Sequence, residues 1–227
     1  VLAWGEMARQ VAHEIKNPLT PMKLSLQHLE RTVEDRSPDF ERLFQRNLDL
    51  VLSEIDRLER IAGSFARFGV PEPAVVEPFD AVGIADDALG LFRTGDPGIG
   101  YAVEVEGEPR PLLGEAEGFR RVLVNLLQNA RDAVLATPEG SGQISIQFDF
   151  EAATEEARVS VVDDGVGLPE GVGRRLFEPS FSTKTRGTGL GLAIVKRMVE
   201  AWGGEVEFDR RKVRGTVIHL RLRVFQG

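Results

Sequence analysis

The sequence predicts an α+β chain, a helical hairpin followed by a sandwich of one sheet with helices on one face. Three observations carry this. Apolar residues recur every three or four positions through residues 1–70. A Pro-rich stretch over 71–78, beginning Pro71-Glu72-Pro73, then interrupts the pattern as a linker. From 79 to 227 short alternating strands and helical periods are grouped as in an α+β domain.

In the hairpin, Met7, Val11, Ile15, Leu19, Met22, Leu26, Leu29 and Val33 mark one helix from about residue 2 to 33. Glu34-Asp35-Arg36-Ser37-Pro38-Asp39 breaks it and offers a fresh N-cap. A second helix carries Phe44, Leu48, Val51, Ile55, Leu58, Ala62 and Phe65 at near-heptad spacing. Two such helices cannot bury both apolar faces alone, so a four-helix bundle made by two chains is expected. In the second domain, residues 80–92 read as helix, 101–106 as strand, 115–136 as helix, and 143–150 and 157–163 as strands. A Gly-rich segment fills 164–191, a helix covers 189–202, and strands at 205–209 and 215–224 close the chain.

Composition narrows the function. The chain of 227 residues has a net charge of −8, which argues against a nucleic-acid scaffold built on phosphate neutralisation. It has no cysteine, so disulfides and thiolate metal sites are excluded. No run of about 18 apolar residues occurs, so no membrane contact is expected. The missing initiator Met reads as a fragment. Its expected location is cytoplasmic, in a parent protein open to membrane anchoring elsewhere.

Four segments each supply part of a nucleotide site. Asn125 and Asn129 lie four apart on a helix, where paired amide oxygens suit a hard cation such as Mg²⁺; taken alone, the pair reads more readily as polar surface. Val161-Val162-Asp163-Asp164-Gly165-Val166-Gly167 ends an apolar strand in an acid and two glycines. The acid can accept from an exocyclic amine, and the glycines admit a flat ring. Gly187-Thr188-Gly189-Leu190-Gly191 opens a helix, whose free N–H groups favour phosphate. Between them, Phe177-Glu178-Pro179-Ser180-Phe181-Ser182-Thr183-Lys184 lies in a connection long enough for a mobile lid over 168–186, with Lys184 and Arg186 available to phosphate charge.

In order, NLLQNARDA, DDGVGLP, LFEPSFSTK and GTGLGL resemble the N, G1, F and G2 boxes of the GHKL ATPase superfamily, specifically its histidine kinases. The resemblance implies a Bergerat-type sandwich that binds ATP. Asn129 would ligate Mg²⁺, with Asn125 supporting the phosphates. Asp163 would take the adenine amine beside Gly165 and Gly167, with Thr216 as a helper. Residues Gly187, Thr188, Gly189, Leu190 and Gly191 would wrap the phosphates. Asp164 departs from the pattern, since many such kinases carry Asn there.

The first helix holds the other half of the chemistry, Val11-Ala12-His13-Glu14-Ile15-Lys16-Asn17-Pro18-Leu19-Thr20. An unprotonated imidazole is a good nucleophile near neutral pH, and Glu14 is placed to orient it or take its proton. Pro18 should kink the helix, while His28 and His219 have no such company and read as surface or packing residues. HEIKNPLT resembles the H box of histidine kinases, which implies phosphorylation of His13, Glu14 as base and Asn17 as the residue aligning water. The longer stretch AWGEMARQVAHEIKNPLTP is similar to nitrogen-regulation kinases of the NtrY/NtrB type. The resemblance implies a homodimer through residues 1–70 and a response-regulator receiver domain as partner. A conformational-clamp ATPase and a nucleotide-bound scaffold are the rival readings; neither gives HEIKNP a role.

Overall fold

Helix α1 runs over Leu2–Glu34 and α2 over Phe40–Phe68, close to the ranges that apolar spacing predicts. They come from a computed structural model that describes residues 2–34, 39–68, 75–151, 154–169, 171–178 and 189–226. The chain divides into two compact units, Val1–Val70 and Pro71–Gly227.

Along the hairpin, α1 turns Pro18, Ser25 and Thr32 inward at seven-residue intervals, and α2 turns Asn47 and Ile61 inward. Two of the buried polar groups bond back to their own helices, Thr32 Oγ1 to His28 O at 2.7 Å and Asn47 Nδ2 to Leu43 O at 2.7 Å. None of those bonds needs a partner across the hairpin. On the adjacent face Ile15, Leu19, Leu26 and Val33 of α1 stay exposed, as do Phe40, Phe44 and Ile55 of α2. One hairpin therefore leaves an apolar stripe along each helix. The kink expected at Pro18 does not end the helix: α1 is continuous through Pro18 and Pro21. Pro18 is buried, and Thr20 Oγ1 donates to Lys16 O at 3.2 Å beside it, so packing and a side-chain bond support the turn where the ring removes an N–H.

The second unit is built on a five-stranded sheet. Its strands are β2 (Ile99–Gly107), β4 (Gly142–Phe150), β5 (Glu156–Asp163), β6 (Glu205–Arg210) and β7 (Thr216–Arg223), in the order β2-β4-β5-β7-β6. β1 (Glu77–Phe79) and β3 (Leu112–Gly114) form a separate antiparallel pair, too short for alternation to reveal, and β1 starts inside the stretch read as linker. Helices α3 (Ala81–Gly90), α4 (Ala116–Leu135) and α5 (Gly191–Ala201) join them. The Asp80 side chain caps α3 by accepting from Gly83 N at 3.0 Å. Strands β4, β5, β7 and β6 pair antiparallel in turn. β2 and β4 are parallel, because α4 carries the chain back across the sheet between them.

Alternation aims the site. In β4, Ile144, Ile146, Phe148 and Phe150 enter the core; in β5, Ala157, Val159 and Val161 do so, and Asp163 follows at the same parity. The last residue of β5 therefore carries its carboxylate to the buried side. Opposite it, α4 buries Phe119, Val122, Leu123, Leu126, Leu127, Ala130 and Val134. The far ends of the helices meet at Trp202, just beyond α5, which is buried near Phe79 and Phe119; those two rings lie 5.1 Å apart. Gly114 and Gly118 leave room for that indole: a Cβ on Gly118 would come within 2.6 Å of Trp202 Cζ2.

Part of the expected lid is core. A short 3-10 helix, Gly173–Phe177, buries Leu176 and Phe177, with Phe177 6.2 Å from Phe208 of β6, and Val172 is buried beside it. Apolar burial anchors this stretch to the core, so residues 172–177 do not serve as a free lid.

Two glycine substitutions should have opposite signs. Gly118→Ala places a methyl against the buried indole and should cost about 1–2 kcal/mol despite its better helix propensity. At Gly90 a methyl meets nothing within 4 Å, so Gly90→Ala should stabilise by up to ~1 kcal/mol. Thermal unfolding of both variants of the full chain checks this.

Candidate functional site

The Asp163 carboxylate is the centre of the site. Its residue is 6% exposed, and Oδ1 accepts from Gly165 N at 2.9 Å and Thr216 N at 3.3 Å. Among the described residues no group donates to Oδ2. Burial pushes this carboxyl up to about 6; the neighbouring Asp164 charge pushes the same way, while the two backbone donors and Arg211 pull it back. The result is a desolvated acceptor with one oxygen held and one to offer.

Glycine is required around it for space. A Cβ on Gly165 would come within 2.5 Å of the Ala133 carbonyl carbon on α4, and Val166 N donates to Ala133 O at 3.1 Å. Gly167 turns with φ +73° towards Gly215. Gly215, with φ +103°, would set a Cβ 2.0 Å from Asp163 O. The strand end, α4 and the start of β7 are thus in backbone contact.

The second part lies where α4 meets α5. Asn125 Nδ2 donates to Arg121 O at 2.9 Å, which turns its Oδ1 away from its own helix backbone. A Cβ on Gly191 would lie 3.4 Å from Asn125 Oδ1 and 3.9 Å from Asn129 Nδ2, so both amides face the first residue of α5. Leu190 is buried, Gly189 turns with φ +64°, and among the described residues the N-terminus of α5 has neither a side-chain cap nor an acid in its first turn. Its leading N–H groups are therefore available to an anion beside two neutral amides. This donor set suits a cation that keeps most of its ligands as phosphate and water oxygens.

The structure brings together Asn125, Asn129, Gly189, Leu190 and Gly191 on one side, and Asp163, Gly165, Gly167 and Thr216 on the other. Lys184, Gly187 and Thr188 lie outside the described residues. His13 and Glu14 belong to α1, but their side chains lie outside those described, while Asn17 is exposed one turn beyond His13. His28 is exposed on α1, and His219 is half-buried, with Nδ1 2.8 Å from Ser160 Oγ and Nε2 3.2 Å from Asp209 Oδ2.

Sequence reading missed the turn between β6 and β7. Arg210 donates to Pro169 O, Arg211 Nη1 donates to Asp163 O at 3.2 Å, and Arg214 pairs with Glu139 at 3.0 Å beyond α4. The one sign of it in the sequence is the cluster Arg210-Arg211-Lys212-Val213-Arg214, which reads as solvated charge until its backbone acceptors are seen.

Comparison with known proteins matches this geometry unit by unit. Residues 3–68 match the His Kinase A (phospho-acceptor) domain, and residues 114–226 match the histidine kinase-, DNA gyrase B-, and HSP90-like ATPase domain. The chain is 34% identical over 224 residues to nitrogen regulation protein NtrY of Azorhizobium caulinodans, covering 97% of this chain and 29% of that protein. It is 30% identical over 226 residues to sporulation kinase E of Bacillus subtilis, covering 98% of this chain and 29% of that protein. It thus spans about a third of the length of such curated relatives. Among solved structures, the mycobacterial sensor histidine kinase MprB aligns with a TM-score of 0.58 at 30% identity, over 67% of this chain and all of that one. Histidine kinase ThkA, solved in complex with the response regulator protein TrrA, aligns with a TM-score of 0.76 at 25% identity, over 97% of this chain and 62% of that one. With a phospho-acceptor domain in its first unit and a kinase-type ATPase domain in its second, the chain belongs to the sensor histidine kinases.

Proposed function

We propose that this chain is a histidine kinase core that moves the γ-phosphoryl group of ATP onto His13 and then to an aspartate of a response-regulator receiver domain. The observation that carries the reading is Asp163, a buried carboxylate with Oδ2 unclaimed among the described residues and a glycine-lined approach. A 6-amino group satisfies such an oxygen, and the flat base fits where Gly165 and Gly167 bring backbone close. The triphosphate then runs towards Gly191 and the uncapped first turn of α5. Asn129, with Asn125 beside it, would hold Mg²⁺, which when bound offsets the charge of the phosphates.

An imidazole nitrogen of His13 attacks the γ-phosphorus in line. The new N–P bond forms as the bond to the β,γ-bridging oxygen breaks, and ADP leaves with that electron pair. Glu14 takes the proton that the ring sheds. Phosphohistidine then passes its phosphoryl group to a receiver aspartate, and Asn17 is placed to align water for the reverse, dephosphorylating activity. The apolar stripes of α1 and α2 support a homodimer through residues 1–70, in which a second hairpin covers them. The ThkA complex with TrrA supports a response regulator as partner.

His13→Gln should abolish incorporation of label from γ-labelled ATP while ATP still binds. Acid-labile label persisting on that variant would sink the acceptor assignment. Asn129→Asp adds a charge facing the phosphates and should weaken magnesium-dependent ATP binding by about tenfold, read by titration calorimetry.

Asp163 gives a pH signature. Its carboxyl is raised to about 6, so acceptance of the amine is lost as pH falls through 6, and ATP affinity should drop there. For the unliganded fold the sign is opposite: stability from this group is full below the ordinary carboxylate range and is lost as pH rises towards 6. Asp163→Asn should therefore raise the melting temperature at pH 7.5 by several degrees while weakening ATP binding at least tenfold. A fall in both quantities would refute this account.

A further inference from the structure

Asp164 stands next to the adenine acceptor, and its side chain does not point into the site. Asp164 Oδ1 accepts from Gln143 N at 2.9 Å, and Asp164 N donates to Gln143 O at 3.3 Å, so one residue makes both bonds of a rung at the mouth of β4. Gly142 leaves the space for it; a Cβ there would lie 2.1 Å from Asp164 Oδ1. The regular β4–β5 pairing stops one residue earlier, at Ile144 opposite Asp163. The other anchors of this loop are the Arg211 Nη1 bond to Asp163 O and three backbone contacts: Val166 N on Ala133 O, Gly165 against Ala133, and Gly215 against Asp163 O.

We propose that Asp164 is a positioning residue for adenine recognition, closing the β4–β5 ladder beyond its last regular pair so that the Asp163 carboxylate keeps its aim. This rests on the nucleotide reading above and adds a residue to it. The charge matters as well as the bond. The groups facing Asp163 are Asp164 from its own loop and Arg211 from the β6–β7 turn; α4 presents Ala133, β4 presents Ile144 and β7 presents Thr216. An amide at 164 would keep a carbonyl acceptor for Gln143 N and remove the negative neighbour that faces Asp163 among the described residues.

The test is calorimetric titration of the full chain with a non-hydrolysable ATP analogue and magnesium, from pH 5 to 8. Asp164→Ala should weaken binding at pH 8 by on the order of tenfold. Asp164→Asn should recover most of that loss and move the low-pH loss of binding to lower pH than in the native chain. Native-like affinity of Asp164→Ala at pH 8 overturns the proposal, as does a fall in melting temperature with no change in affinity. If Asp164→Ala does not fold, Asp164→Asn decides alone: an unmoved midpoint overturns the role. Asp163→Asn separates the two ideas, because native affinity in that variant defeats the nucleotide reading, whereas loss there with no effect at 164 defeats only this one.

Discussion

A carboxylate at the inner end of a central strand is the constraint around which the second unit is arranged. Asp163 falls on the buried parity of β5, so the alternation that builds the core also forces an acid into it. Two backbone N–H groups answer one of its oxygens, and they come from different places, its own loop and the first residue of β7. Supplying them needs three pieces of backbone closer together than a Cβ allows, hence glycine at 165 and 215. The desolvation that remains uncompensated is the affinity such a site offers to a base. Stability and function pull against each other at this one residue.

The two units divide the chemistry in a way their packing reflects. The α/β unit is closed: its apolar faces meet across the sheet and α4, and the largest side chains are fully buried. The hairpin is open, with the inward Thr32 and Asn47 side chains bonded within their own helices and an apolar stripe left on each helix. A unit that completes its core with a second chain has its stability tied to assembly, while the nucleotide-binding unit folds around its own core. With a phospho-acceptor domain in the first unit and an ATPase domain in the second, the proposed transfer would be a separable event.

Much of this was legible in the residues. Both hairpin helices followed from spacing, and β4, β5, α4 and α5 were placed within a few positions, because strong alternation or helical periodicity spans their whole length. What escaped was what depends on contact between distant segments. β1 and β3 are three residues each and exist through pairing with one another. The parallel sense of β2 and β4 is a property of the crossover. Leu176 and Phe177 look like lid residues in a long connection, and only the pocket formed with Phe208 makes them core. At the site, Asp163, Gly165 and Gly167 could be picked out along one stretch of sequence, whereas Asp164 and Arg211 acquire roles from partners 21 and 48 residues away, and Gly215 from its close approach to the Asp163 carbonyl.

Trp202 has an optical consequence. It is one of two tryptophans in the chain, and its indole is sealed at the junction of β1, β3, α4 and α5, against Gly114 and Gly118 and near the Phe79 and Phe119 rings. An indole so enclosed emits at short wavelength and reddens when water reaches it. The same ring touches the strand pair next to the linker and the ends of α4 and α5 remote from Asn125, Asn129 and Gly191. The protein thereby carries its own fluorophore at the place where a displacement of either helix, or of the strand that leads in from the hairpin, would first let solvent in.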